Sequence, residues 1–184
     1  DIAYCPERYR ILRNTPSAAL ANMIQGSSLT GSLAHLGLLA LLKVSLDDIE
    51  VEKEVAMDLK DGHTLVGRAD IIYKSDVYDV KFVSAVVEDR PHPQYAIQVW
   101  TYKILLNAKR AFILYITKKG EILQVPVTDR VISNIIMNLN AFPMSPAATE
   151  KLDSEEFIHT WYEWWKEQNG PIWGSWAVSY THLT

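Results

Sequence analysis

Two acids and an amine stand close together near the middle of the sequence. Asp70 follows Gly67-Arg68-Ala69 and opens a short apolar run; after a turn at Lys74-Ser75-Asp76 come Asp79, Val80 and Lys81. Carboxylate oxygens are hard ligands that suit Mg²⁺ or Mn²⁺. A divalent cation beside a lysine makes a place where water is activated and charge on an attacked group is neutralised. Asp79 and Lys81 are two residues apart, so in a strand they share a face. If a second strand carrying Asp70 pairs with it through the short turn, Asp70 comes to that face and near Asp79. The chemistry therefore needs two neighbouring strands in one particular register.

The surrounding pattern supplies them. From Glu50 the hydrophobic period is two, with Val51, Lys53, Val55 and Met57 alternating with Glu52, Glu54, Ala56 and Asp58. Lys60-Asp61-Gly62-His63 reads as a hairpin turn, because Asp-Gly tolerates positive φ. Thr64 to Tyr73 is the returning strand and Val77 to Val83 a third, which makes a meander. Upstream, Gly26-Ser27-Ser28 is predicted to be a break. A helix follows from Thr30 or Ser32 to about Lys43, with Leu33, Leu36, Leu39 and Leu42 at helical spacing and His35 inside it.

Downstream, residues 86–93 form a loop bearing Glu88, Asp89, Arg90 and His92. Pro93 opens a helix to about Asn107, on which Gln94, Gln98 and Tyr102 line one face. Strands follow over 111–117 and 121–127, then a helix capped by Thr128 to about Asn140 and a Pro/Ser/Ala linker at 143–149. A Trp-rich last helix, capped by Asp153 or Ser154, runs to about Gln168. Short helices are predicted over 7–13 and 18–25. The sum is one α/β domain: a mixed central sheet of about five strands flanked by helices, with its core at about 26–140 and a C-terminal helical segment at 150–177.

Composition sets limits on function. The 184 residues are enough for one domain with its own core, and 48% hydrophobic with 22% charged residues is the balance of a globular protein. A formal net charge of -4 does not mark a nucleic-acid binder, although a nuclease needs only a local basic groove. The single cysteine, Cys5, excludes a disulfide framework and points to a cytoplasmic setting. No apolar run reaches the roughly 18 residues of a membrane span.

The ordered set Gly31-x-x-x-His35, Gly67-x-x-Asp70, Asp79-x-Lys81 and Gln98-x-x-x-Tyr102 resembles the RecB-like branch of the PD-(D/E)XK nuclease superfamily. That branch includes nuclease domains of recombination helicases and a CRISPR-associated nuclease of spacer acquisition. The resemblance spans roughly residues 26–127. It implies a restriction-endonuclease-like core and metal-dependent hydrolysis of DNA phosphodiester bonds, exonucleolytic on single strands or ends, in repair, recombination or CRISPR adaptation. In that frame Asp70, Asp79, the backbone carbonyl of Val80 and His35 ligate Mg²⁺ or Mn²⁺. Lys81 orients the water or neutralises the pentavalent state, and Gln98 and Tyr102 hold the DNA strand or the catalytic groups. A different class of reading is a catalytically idle nuclease-fold module that binds DNA within a repair or adaptation complex. The intact pair of acids beside a lysine argues against it.

Some relatives hold an iron–sulfur cluster with one cysteine ahead of the core and three near the C-terminus. Cys5-Pro6 stands where the first belongs, and Gly170 to Trp176 resembles the approach to the others, which are absent. Either the protein never had the cluster, or the tail has replaced those cysteines; one cysteine cannot hold it. The last residues, 178–184, match one reading frame of a sequencing-library transposon end. They are expected to be a non-native adapter tail on a fragment, an expectation that the same tail in a complete, independently sequenced gene would sink.

Taken singly, each residue also has an ordinary explanation. His35 is a common kind of helix-face histidine, and Asp70 pairs structurally with Lys81 or Arg68. Asp79 and Lys81 form the solvated face of an edge strand. Glu52 and Glu54 are expected to be exposed strand charges rather than additional metal ligands. His63 and His159 are expected to be solvated, with His92 a lesser candidate for a phosphate contact. The Trp-rich helix is expected to serve packing rather than base stacking.

Overall fold

The structure is a computed structural model that describes residues 26–83, 91–145 and 149–169. After helix α1 (Gly26–Ser45), the period-two segments become β1 (Glu50–Asp58), β2 (Thr64–Tyr73) and β3 (Asp76–Val83). Helix α2 (Pro93–Leu105) leads to β4 (Arg110–Thr117) and β5 (Ile122–Val127). The strands form one sheet in the order β1-β2-β3-β4-β5. β3 and β4 are parallel, and the other neighbours are antiparallel. A parallel pair cannot be joined by a tight turn, and α2 is the crossover it requires. Helices α3 (Asp129–Met137), α4 (Thr149–Leu152) and α5 (Glu155–Asn169) complete the described chain.

The two hairpin turns set the register. In the first, Gly62 takes φ 86°, its N–H donates to the Leu59 carbonyl at 3.1 Å, and Asp61 Oδ1 accepts from the His63 N–H at 3.1 Å. In the second, Lys74 and Ser75 take φ 48° and 68°, the paired left-handed geometry of a two-residue turn whose twist matches its strands. It fixes Tyr73 opposite Asp76 and Ile71 opposite Tyr78. Asp76, nearly buried, is clasped by Arg110 Nε at 3.1 Å and Nη2 at 2.6 Å, tying the starts of β3 and β4.

The sheet is covered on both faces. On one, Leu39 of α1 packs with Ile71 and Val80, supported by Leu38, Leu42, Tyr78 and Leu114. On the other, Ala96, Ile97, Val99 and Trp100 of α2 pack with Val77, Ala111 and Ile113. Ile132 of α3 and Phe157 and Trp161 of α5 close this larger core, and Trp100 Nε1 donates to the Leu152 carbonyl at 2.7 Å. Burying side chains of this size stabilises by about 1.5–3 kcal/mol each. Trp161 and Trp164 meet Phe142 in tilted and edge-on contacts and are buried, so the Trp-rich helix packs, as its sequence predicts.

Three boundaries differ from the sequence reading. Gly26-Ser27-Ser28 is helical rather than a break. Helix α3, capped by Thr128 as expected, stops at Met137; the Asn138 side chain donates to the Asn134 carbonyl and its N–H turns back onto Ile135 and Ile136. Ser154 does not cap α5 through its side chain: its hydroxyl donates to the Lys151 carbonyl at 2.6 Å. Among the described residues, no helix is long and apolar enough to cross a membrane.

Candidate active site

The β2–β3 ladder runs through Tyr73–Asp76, Ile72–Val77 and Ile71–Tyr78 and then stops. Asp70 and Asp79 are the next positions in that register. The ladder opens at this point, and the two carboxyls share a hydrogen bond there. The Val80 N–H is taken instead by Asp70 Oδ2, at 2.7 Å. The turn at Lys74-Ser75 thus brings the two acids together as the sequence predicts, at the point where the strand pairing ends.

Asp79 is 1% exposed. Its Oδ2 lies 3.1 Å from Lys81 Nζ, a charge contact without hydrogen-bond alignment, and this buried oxygen accepts no hydrogen bond. Burial pushes Asp79 up from the usual 3.8 to about 7, with Lys81 opposing the rise and Asp70 adding to it. Burial also raises Asp70, against the pull of the Val80 N–H and Lys81. The two carboxyls therefore titrate as a pair. Lys81 stays above its ordinary value: burial pulls the ammonium down, and Asp79 and Asp70 outweigh it.

His35 comes from α1, on the opposite side of the sheet from α2, and its Nε2 is 3.4 Å from Asp70 Oδ1. Burial lowers its pKa, with Glu52 and then Asp79 opposing, so the imidazole is neutral at pH 7 and keeps a free lone pair. Glu52 is half-buried rather than an exposed strand charge. It lies between the Val51–Ile71 and Lys53–Ala69 pairs of the β1–β2 ladder with φ 52°, a left-handed backbone inside a strand, and its Oε1 is 3.8 Å from Arg68 Nη2. Glu54, as expected, is exposed.

From α2, Gln98 Oε1 accepts from Lys81 Nζ at 3.2 Å, and Gln98 Nε2 donates to the Tyr102 hydroxyl at 3.3 Å. Tyr102 is 1% exposed, buried behind Gln98 rather than open to solvent. Cys5 and residues 170–184 lie outside the described residues, as do Glu88, Asp89 and Arg90. A cavity of about 760 Å³ sits elsewhere, at the C-terminal end of α2 and the start of β4, lined by Trp100, Lys103, Lys109, Arg110 and Asp153 among others; none of the acid pair's residues lines it.

Among the described residues, no three His, Cys, Asp or Glu side chains gather closely enough to enclose a cation unaided. The donors present still fit a hard divalent ion: two adjacent carboxylates, one of them with a buried oxygen that accepts no hydrogen bond, and a neutral imidazole beside them. Mg²⁺ and Mn²⁺ complete such partial sets with water, backbone carbonyl or phosphate oxygen.

No protein-family model matches the chain. Over 125 residues it is 28% identical to the CRISPR-associated exonuclease Cas4 of Saccharolobus solfataricus; the match covers 64% of this chain and 61% of that protein, so the chain spans under two thirds of its relative's length. The crystal structure of SSO0001 superposes with a TM-score of 0.52 at 24% identity, over 76% of this chain and 74% of the other. The fold is restriction-endonuclease-like.

Of the residues that the sequence singles out, His35 contacts Asp70, Asp70 bonds the Val80 N–H, and Asp79, Lys81, Gln98 and Tyr102 follow one another in contact. Sequence reasoning missed Tyr95, whose ring centroid is 4.6 Å from Lys81 Nζ. A signal was available: Tyr95 precedes Gln98 by three residues and so shares its helix face. Tyr115, also missed, stands opposite Lys81 through the parallel β3–β4 register, which no local pattern announces.

Proposed function

We propose that this protein is a metal-dependent DNA nuclease that hydrolyses phosphodiester bonds, acting as an exonuclease on single strands or ends in repair, recombination or CRISPR adaptation. The observation that carries the reading is Asp79: a carboxylate 1% exposed, with an oxygen that accepts no hydrogen bond, opposed to Asp70. A buried charge is costly unless it is paired or coordinates a metal, and the Lys81 ammonium alone leaves two acids at this point. The similarity to an exonuclease named Cas4 supports the same reaction class.

Asp70 and Asp79 would hold the cation, with His35 offering its neutral nitrogen, a donor that favours Mn²⁺ over Mg²⁺. The Val80 carbonyl is a further proposed ligand, although the contact in hand is through the Val80 N–H. A bound divalent ion supplies Lewis-acid charge and lowers the pKa of a nearby water. Lys81, kept protonated by the acids, holds its ammonium at the mouth of this pair, where it neutralises charge developing on the attacked phosphate. Gln98 takes one of the lysine's donors and, braced by Tyr102, limits where the ammonium can swing. With a net charge of -4, attraction of DNA must come from local cations such as Lys81 and Arg68 and from the ion itself.

The test uses labelled single- and double-stranded DNA with Mn²⁺, Mg²⁺ or EDTA, beside Asp79→Ala and Lys81→Ala. Cleavage is expected with metal only, falling about 10²-fold or more in each variant. Activity that survives both substitutions ends the assignment.

A further inference from the structure

The Lys81 ammonium is held on more sides than its acid partner accounts for. Asp79 Oδ2 lies at 3.1 Å and Gln98 Oε1 at 3.2 Å, while the Tyr95 ring sits 4.6 Å from the nitrogen to its centroid. The first contact comes from β3 and the other two from successive turns of α2. A lysine reaches its charge through four flexible carbons, so two polar contacts leave it free to pivot about them, and an aromatic face limits that movement.

Tyr95 is itself locked. Its ring lies 4.9 Å from the His92 ring at 39° and 6.5 Å from the Tyr115 ring at 53°. His92, at the N-cap position of α2, gives the helix no side-chain cap. Its N–H instead donates to the Tyr115 hydroxyl at 3.2 Å, which pins the start of α2 to β4. Tyr115 is the register partner of Lys81 across the parallel strand pair, so the set closes on the residue it surrounds.

We infer that Tyr95 is a positioning residue for Lys81: its ring face, fixed by His92 and Tyr115, holds the ammonium toward the acid pair by a cation–π contact. This rests on the proposed role of Lys81 in phosphodiester hydrolysis and adds a residue to it. The ring, not the hydroxyl, does the holding, so Tyr95→Phe retains the function and Tyr95→Leu loses it. A cation–π contact of this geometry corresponds to about a two- to thirty-fold rate effect.

Two readouts test the inference. In the metal-free protein, NMR of the Lys81 ε-methylene should show an upfield ring-current shift in the wild type and in Tyr95→Phe that disappears in Tyr95→Leu. In DNA cleavage, Tyr95→Leu should lower kcat by that factor with KM unchanged, Tyr95→Phe should match the wild type, and Tyr95→Leu should add nothing in a Lys81→Ala background. If the Leu variant fails to fold, Tyr95→Met takes its place. A raised KM with unchanged kcat would mean that the ring contacts DNA instead, and a Phe variant as impaired as Leu would assign the effect to the hydroxyl; either overturns the inference, as does the absence of a ring-current shift. A wild type without nuclease activity overturns the proposed function, while the NMR result still decides the Tyr95–Lys81 contact.

Discussion

Asp79→Asn should make the metal-free protein more stable at neutral pH. The folded state raises this carboxyl from 3.8 to about 7, so between those values the folded protein holds a proton that the unfolded chain has released. Wild-type stability should therefore fall as pH rises from about 4 to about 7, with the penalty absent below that window and complete above it. Three units at 1.36 kcal/mol each set a ceiling of about 4 kcal/mol. Coupling to Asp70 and relaxation around Lys81 reduce it, and a gain of about 1–3 kcal/mol at pH 8 is the working expectation. An amide of the same shape removes the charge without leaving a cavity. The assay is urea unfolding in EDTA at pH 5 and pH 8, with the variant ahead at pH 8 and the gap narrowing toward pH 5. Adding Mn²⁺ should then stabilise the wild type and not the variant. A variant less stable than the wild type at pH 8 in EDTA would refute the view that Asp79 is a charge held at a cost.

The other expectations concern the frame around the site. Lys74→Asn with Ser75→Gly should raise the unfolding free energy by about 0.5–1.5 kcal/mol, read as a higher urea midpoint, because both turn residues hold left-handed backbone that Asn and Gly adopt more readily. Trp100→Phe should cost about 1–2 kcal/mol by orphaning the buried Leu152 carbonyl, read as a lower melting temperature with the metal requirement unchanged. Asp61, held at about 2 by Lys166 and His63 against the upward push of burial, ties the β1–β2 turn to α5. That tether should be intact above about pH 4 and be lost as pH falls through about 2, with Lys166→Met weakening this dependence and leaving the part due to His63; amide exchange at Gly62 and His63 reports it.

The sheet and the acids were legible because their signals are local. Strict alternation from Glu50, an Asp-Gly turn and a two-residue turn at Lys74-Ser75 fix a register, and a register fixes which side chains meet. Four motifs in order then placed His35 and Gln98 at the same end. What stayed hidden depends on contacts between elements distant in sequence. Tyr115 reaches Lys81 only through a parallel pairing made by a crossover helix. The left-handed turn of β1 at Glu52 arises inside a strand whose alternation looks regular, and it brings a charge toward His35 that alternation alone assigns to solvent. The opening of the ladder at Asp70 and Asp79 likewise belongs to two strands together, which a strand-by-strand reading cannot anticipate.

We propose that Asp70 and Asp79 together hold a divalent cation. Crystals grown or soaked with Mn²⁺ and measured for anomalous scattering address it without passing through activity. One strong peak is expected between the two carboxylates, within reach of His35, and no peak there in Asp79→Asn. A protein that binds Mn²⁺ at another place, or shows no peak between Asp70 and Asp79 at millimolar Mn²⁺, would contradict it.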